Sequence, residues 1–175
     1  MNLTTTKKPV ATKKGTGPTG ILESPYAAPT LSGHILAGEA FDVARHAGQW
    51  VVLYFYPKDM TPGCTTESRD FQRLASKFTA AGASVYGASK DSCESHRKFA
   101  EKEGLSGFLL ISDPGPLSEA FGVWKEKTNY GKTYLGIERS TFLIDPAGQV
   151  RARWSKVRVD GHADAVLQTL SSLLA

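Results

Sequence analysis

The chain has 175 residues, 41% hydrophobic and 22% charged, which suffices for one domain with a real core and excludes the disordered and fibrous classes. Its net charge of +4 is a property of one end: Lys7, Lys8, Lys13 and Lys14 lie in a first segment without acids, leaving 17 basic against 17 acidic residues. A neutral body argues against a nucleic-acid groove, and the lack of any run near the roughly 20 apolar residues of a membrane span argues against a membrane protein.

Residues 1–20 mix Thr, Lys, Gly and Pro with almost nothing apolar and read as a flexible basic tail. Residues 21–175 read as a single domain. No apolar secretory segment is visible near the N-terminus, and Cys64 and Cys93 alone do not form a disulfide framework. A cytoplasmic protein with resting thiols is expected.

Residues 21–48 are punctuated by Pro25, Pro29, Gly33, Gly38 and Gly48 and are expected to be rich in loops. "GQWVVLYFYP" (48–57) is apolar at successive positions, the pattern of a central strand covered on both faces. Pro57 ends it. A helix is predicted from Thr61, with Thr61 as N-cap and Pro62 at the first helical position; Cys64, Phe71, Leu74 and Phe78 mark its apolar face.

"ASVYGAS" (83–89) is a second strand, and "DSCESHRKFAEKEG" (91–104) a second helix, capped by Asp91 or Ser92 and closed at Gly104. "FLLIS" (108–112) is a third strand, and "PLSEAFG" (116–122) a short helix. "STFLIDPAGQVRARW" (140–154) reads as a hairpin turning at Asp-Pro-Ala-Gly. A final helix carries Ala165, Leu167, Leu170, Leu173 and Leu174 at helical spacing. Such an order predicts an α/β fold of thioredoxin-like layout, a central mixed β-sheet with helices on both faces. The first helix then starts at the carboxyl end of a central strand, where α/β sheets bind their ligands.

Cys64 falls in the first turn of that helix. Unpaired backbone N–H groups and the positive end of the helix dipole favour the thiolate, the reactive form of cysteine. A buried cysteine acting as a small hydrophobe is the bland alternative. The run Cys64-Thr65-Thr66-Glu67 lacks the second cysteine of a Cys-x-x-Cys dithiol, which disfavours ordinary disulfide exchange.

Pro57-x-x-x-Thr61-x-x-Cys64 resembles the active-site signature of the peroxiredoxins, and "YPKDMTPGCTTE" (56–67) is similar to their bacterioferritin comigratory protein (PrxQ) subgroup. The blocks "SKDSCESHRKF" (89–99), "LLISDPGPLSEAFGVW" (109–124) and "YGKTYLGIERSTFLID" (130–145) resemble the same subgroup in the same order, so the likeness covers about residues 25–170.

The resemblance implies a thiol-dependent peroxidase that reduces hydrogen peroxide and alkyl hydroperoxides, needing no metal, haem or flavin. By similarity Cys64 is the peroxidatic nucleophile and becomes a sulfenic acid, and Thr61 donates to and accepts from the peroxide. The N–H groups of Gly63 and Cys64 hold the peroxide oxygens, and Pro57 shapes and shields the pocket. Arg139 supplies a fixed positive charge; spacing alone does not single it out from the other basic residues.

The subgroup's resolving cysteine stands five residues after the nucleophile or in the next helix, positions held here by Arg69 and Ala100. That leaves a one-cysteine cycle reduced by thioredoxin, glutaredoxin or a small thiol, or a disulfide between Cys64 and Cys93. A monomer rather than a large oligomer is expected. A peroxide sensor or holdase without efficient turnover is the rival reading. Cys93-x-x-His96 has a metal-like spacing with no second pair, so zinc is not expected. His34, His46 and His162 read as ordinary surface or loop residues, Glu67 as a favourable early-helix acid, and Tyr54, Phe55 and Tyr56 as core.

Overall fold

The computed structural model describes residues 20–29, 32–34, 40–42, 48–113 and 115–175. The expectations for the lysine-bearing tail and for His46 lie outside them. In chain order the elements are β1 (Ile21–Ala27), β2 (Ser32–His34), β3 (Ala40–Asp42), β4 (Trp50–Phe55), α1 (Pro62–Ala80), β5 (Ala83–Ser89), α2 (Cys93–Glu103), β6 (Leu109–Ser112), α3 (Pro116–Ala120), β7 (Trp124–Asn129), β8 (Lys132–Ile137), β9 (Ser140–Ile144), β10 (Gln149–Ser155) and α4 (His162–Leu174).

Eight strands form one mixed sheet in the order β1-β10-β9-β4-β5-β6-β2-β3. β4 pairs parallel with β5 and antiparallel with β9, so it is buried on both edges as well as both faces. All six of its residues are buried, as a run of unbroken hydrophobicity requires. Strand alternation sorts them: Val52 and Tyr54 face a cluster with Phe71, Leu74 and Phe78 of α1, Phe99 of α2 and Val166 and Leu170 of α4. Val51, Leu53 and Phe55 face the opposite cluster, with Leu117 of α3, Phe121 and Phe142. Each buried aromatic of this kind stabilises the fold by about 2–3 kcal/mol over its exposed state. The thioredoxin-like layout with helices on both faces is therefore present. Among the described residues, no helix is long and apolar enough to cross a membrane.

The structure differs from the expected order in three places. The segment expected to be rich in loops contributes β1, β2 and β3. β1 is an edge strand whose register shifts between Ile21 and Tyr26, which is how it accommodates Pro25 without breaking a ladder. A second hairpin, β7–β8, stands apart as its own two-stranded sheet. It turns at Tyr130 and Gly131, both with positive φ, the combination of a tight two-residue turn. In α4 the buried face is His162, Ala163, Val166, Thr169 and Leu170, rotated from the leucine stripe; Leu174 is exposed.

Candidate active site

α1 begins where expected, with Thr61 as N-cap and Pro62 in the first turn, directly after the carboxyl end of β4. The Thr61 hydroxyl does not cap the helix. It donates to the Lys58 carbonyl at 2.8 Å instead. The first intrahelical bond runs from the Thr65 N–H to the Thr61 carbonyl at 2.9 Å, so the N–H groups of Gly63 and Cys64 precede the helical ladder and stay available. No acid stands in this first turn to compete for them.

Cys64 is wholly buried on the same face as Phe71, Leu74 and Phe78, as the spacing predicts. Arg139 reaches it because of the sheet. β9 runs antiparallel to β4 and its first residue, Ser140, lies beside Phe55, so the residue before it arrives where α1 starts. Its backbone is fixed by the Val157 N–H, which donates to the Arg139 carbonyl at 3.0 Å. The guanidinium Nη2 lies 3.3 Å from Cys64 Sγ, and Nη1 lies 2.5 Å from Glu67 Oε2. One planar group thus meets both the sulfur and a carboxylate. A Cβ added to Gly63 would stand 3.3 Å from the same Nη2, so glycine at 63 leaves the guanidinium its room.

Glu67 is more than an early-helix acid. It is almost completely buried, its Oε1 has no partner, and burial pushes its carboxyl up to about 7 despite the opposing pull of Arg139. Burial alone would drive the Arg139 guanidinium down, but the charges of Glu67 and Cys64 reverse this and it ends above its usual range. Lys127 of β7 belongs to the same neighbourhood. Burial and the Arg139 charge hold its ammonium below the usual lysine range, while Glu138 and Cys64 pull the other way.

Around this cluster, the Tyr54 hydroxyl bonds Ser68 Oγ at 2.9 Å and His162 Nε2 bonds Thr141 Oγ1 at 2.7 Å. His162 is buried rather than a surface residue: it packs edge-on against Phe71 and Trp154, and burial with the Arg139 charge lowers its ring to about 4. A histidine at the start of α4 gave no sequence signal of this contact. Pro57 is exposed and follows Tyr56, whose N–H makes a last sheet bond to the Ala88 carbonyl at 3.1 Å.

The other cysteine is differently placed. Cys93 is the first residue of α2, partly exposed, behind the N-cap Ser92, and both cysteines are thiols. His96 does not face outward toward a metal-like pair with Cys93. It is wholly buried and bonded to Asp59 and the Ile111 carbonyl.

Comparison with known proteins identifies the family. The AhpC/TSA family model matches residues 26–153. The chain is 52% identical over 153 residues to peroxiredoxin Bcp of Xanthomonas campestris pv. campestris, covering 87% of this chain and 95% of that protein. It is 51% identical over 136 residues to peroxiredoxin Bcp of Bacillus subtilis, covering 78% and 87%. A solved structure of Xanthomonas campestris bacterioferritin comigratory protein, studied for its alkyl peroxide reduction activity, superposes with a TM-score of 0.78 at 51% identity over 83% of this chain and 92% of that one. A chain with a buried cysteine at a helix start, an arginine on its sulfur and relatives of this closeness belongs to the AhpC/TSA family, in the bacterioferritin comigratory protein group of peroxiredoxins.

Proposed function

We propose that this thiol-dependent peroxidase works through Cys64, with Thr61, Gly63 and Arg139 as its substrate-binding partners. The observation that carries the reading is the contact of Arg139 Nη2 with Cys64 Sγ at 3.3 Å, inside a site where the helix N–H groups are unspent. A fixed guanidinium in contact with the sulfur meets negative charge as it develops.

The thiolate sulfur attacks one oxygen of hydrogen peroxide or an alkyl hydroperoxide. An S–O bond forms, the O–O bond breaks, and the departing oxygen leaves as water or an alcohol after taking a proton. The Gly63 and Cys64 N–H groups hold the peroxide oxygens, and the Thr61 hydroxyl, whose proton goes to Lys58, accepts from the substrate's O–H. Pro57 bounds the approach. Cys64 is left as a sulfenic acid.

An external thiol, from thioredoxin, glutaredoxin or a small molecule, then attacks the sulfenic sulfur, water leaves, and a second thiol releases the mixed disulfide. A Cys64–Cys93 bond is the competing route; it requires the start of α1 or α2 to unwind. The enzyme acts as a cytoplasmic monomer without a metal or cofactor. Repeated turnover, rather than one-time sensing or holdase action, is favoured by the peroxiredoxin names of relatives at about 50% identity.

Mass spectrometry of peroxide-treated protein with a sulfenic-acid trap tests the reading. The trap is expected on Cys64 and not on Cys93. A protein that carries neither trap on Cys64 nor a 64–93 bridge yet still consumes peroxide would overturn Cys64 as nucleophile, and quantitative appearance of the bridge would replace the one-cysteine cycle.

A further inference from the structure

Three residues before the catalytic helix, Asp59 sits almost fully buried in an otherwise exposed loop. Its carboxylate gathers the Tyr56 hydroxyl on Oδ1 at 2.6 Å, the Ser95 hydroxyl on Oδ2 at 2.7 Å, and His96 Nδ1 at 2.8 Å from Oδ2 and 3.1 Å from Oδ1. Its backbone N–H donates to Asp91 Oδ2 at 2.9 Å, which also accepts from the Ser89 hydroxyl. The far nitrogen of His96, Nε2, meets the Ile111 carbonyl at 3.1 Å. One acid therefore sews the β4–α1 loop to β5, to the first turn of α2 and to β6.

The ring of His96 is held at both ends. A carbonyl only accepts, so His96 Nε2 carries a proton. Nδ1 lies 2.8 Å from Asp59 Oδ2 and 3.2 Å from the Tyr56 hydroxyl, so both ring nitrogens are engaged and the histidine shares the tyrosine with the acid. The pair is locked together, and buried pairs of this kind are costly to open because either partner alone is left unsatisfied.

What the pair restrains is visible in the next two residues. Met60 has a φ of 62°, a left-handed conformation that costs a non-glycine residue on the order of 1 kcal/mol. Thr61, beside it, turns its hydroxyl to Lys58. A strained residue between an anchored acid and the substrate-facing threonine persists only while the anchor holds.

We propose that Asp59 and His96 are positioning residues for peroxide reduction: their buried contact holds the Asp59–Thr61 segment in its strained shape and so aims the Thr61 hydroxyl and the start of α1 at the substrate. The inference rests on Cys64 being the nucleophile. Neither residue touches peroxide. The same contact ties the Cys64 loop to the helix that begins with Cys93, so releasing it loosens both.

The test separates aim from reactivity. For the full chain with Asp59→Ala, the rate constant of Cys64 with hydrogen peroxide is expected to fall at least tenfold, while alkylation of Cys64 by iodoacetamide, which does not use Thr61, stays equal or rises. Asp59→Asn is the conservative rescue. Its carbonyl accepts from Tyr56 and its amide donates to Ser95 Oγ and to a neutral His96 Nδ1, so the peroxide rate should stay within about threefold of the parent.

Should Asp59→Ala not fold, Ser95→Ala removes one donor from a partly exposed position and is expected to slow the peroxide step two- to fourfold with alkylation unchanged. A peroxide rate unaffected in the Ala variants, an equal loss in both reactions, or an Asn variant as slow as Asp59→Ala would overturn the proposal. A parent protein whose Cys64 ignores peroxide would instead overturn the reading beneath it.

Discussion

At the start of α1, Thr61 turns its hydroxyl back to Lys58, no acid stands in the first turn, and Cys64 is wholly buried beside a guanidinium. At the start of α2, Ser92 Oγ accepts from the Ser95 N–H at 3.1 Å, Glu94 adds a negative charge, and Cys93 is partly exposed. Both cysteines meet the positive end of a helix. The second helix answers one of its free N–H groups with the Ser92 side chain, whereas no side chain caps the first. The two starts differ in that α1 is left uncapped and receives a charge from Arg139, the residue before β9.

Exchanging the cysteines one at a time gives the largest expected effect. Cys64→Ser should abolish peroxide reduction, whereas Cys93→Ser should leave turnover with a small-thiol reductant within about twofold, both read by peroxide consumption. Equal losses would erase the contrast between the two starts.

Glu67, one turn into α1, offers a second handle of about 3 kcal/mol. Its folded value of about 7 lies above its unfolded 4.5, so the folded state keeps a proton that the unfolded chain releases, and stability falls as pH rises across that window. His162 acts oppositely. Its folded value of about 4 lies below 6.5, so stability is lost as pH drops from 6.5 toward 4. Between about 4.5 and 6.5 the two slopes offset each other. Glu67→Gln should therefore unmask a steeper rise of unfolding free energy with pH, measured by denaturant titration at several pH values; an unchanged profile would show that Glu67 is ionised throughout.

The smallest expected effect belongs to the capped start. Ser92→Ala should cost about 1 kcal/mol in stability with no change in the peroxide rate of Cys64. A tenfold loss of peroxide rate would mean that the Ser92 cap, and not the Asp59 contact, holds the Cys64 loop.

Those contrasts were partly legible in the sequence. β4, α1, β5 and α2 follow from unbroken hydrophobicity, helical spacing and end signals such as Pro62 and Gly104, all local properties of the chain. β1 was missed because the exposed run Glu23-Ser24-Pro25 hides the alternation of an edge strand. The β7–β8 hairpin was missed because its faces are mostly exposed and polar, although Tyr130-Gly131 between alternating residues was the available signal.

At the site, Cys64 could be singled out from position and Thr61 only as a helix N-cap, while Thr61's role toward peroxide and Arg139 entered only by resemblance. The reason is topological. A residue 75 positions away reaches the sulfur through the antiparallel register of β9 on β4, which no local pattern records. Glu67 and His162 were underrated for the same cause, since their burial comes from elements distant in sequence.

Gly63 carries a further consequence. A methyl group there would stand 3.3 Å from Arg139 Nη2, tight enough that the arginine must give by a few tenths of an ångström. Bulk added at this position therefore bears first on the guanidinium that touches Cys64, so a larger residue here is expected to disturb the Arg139–sulfur contact.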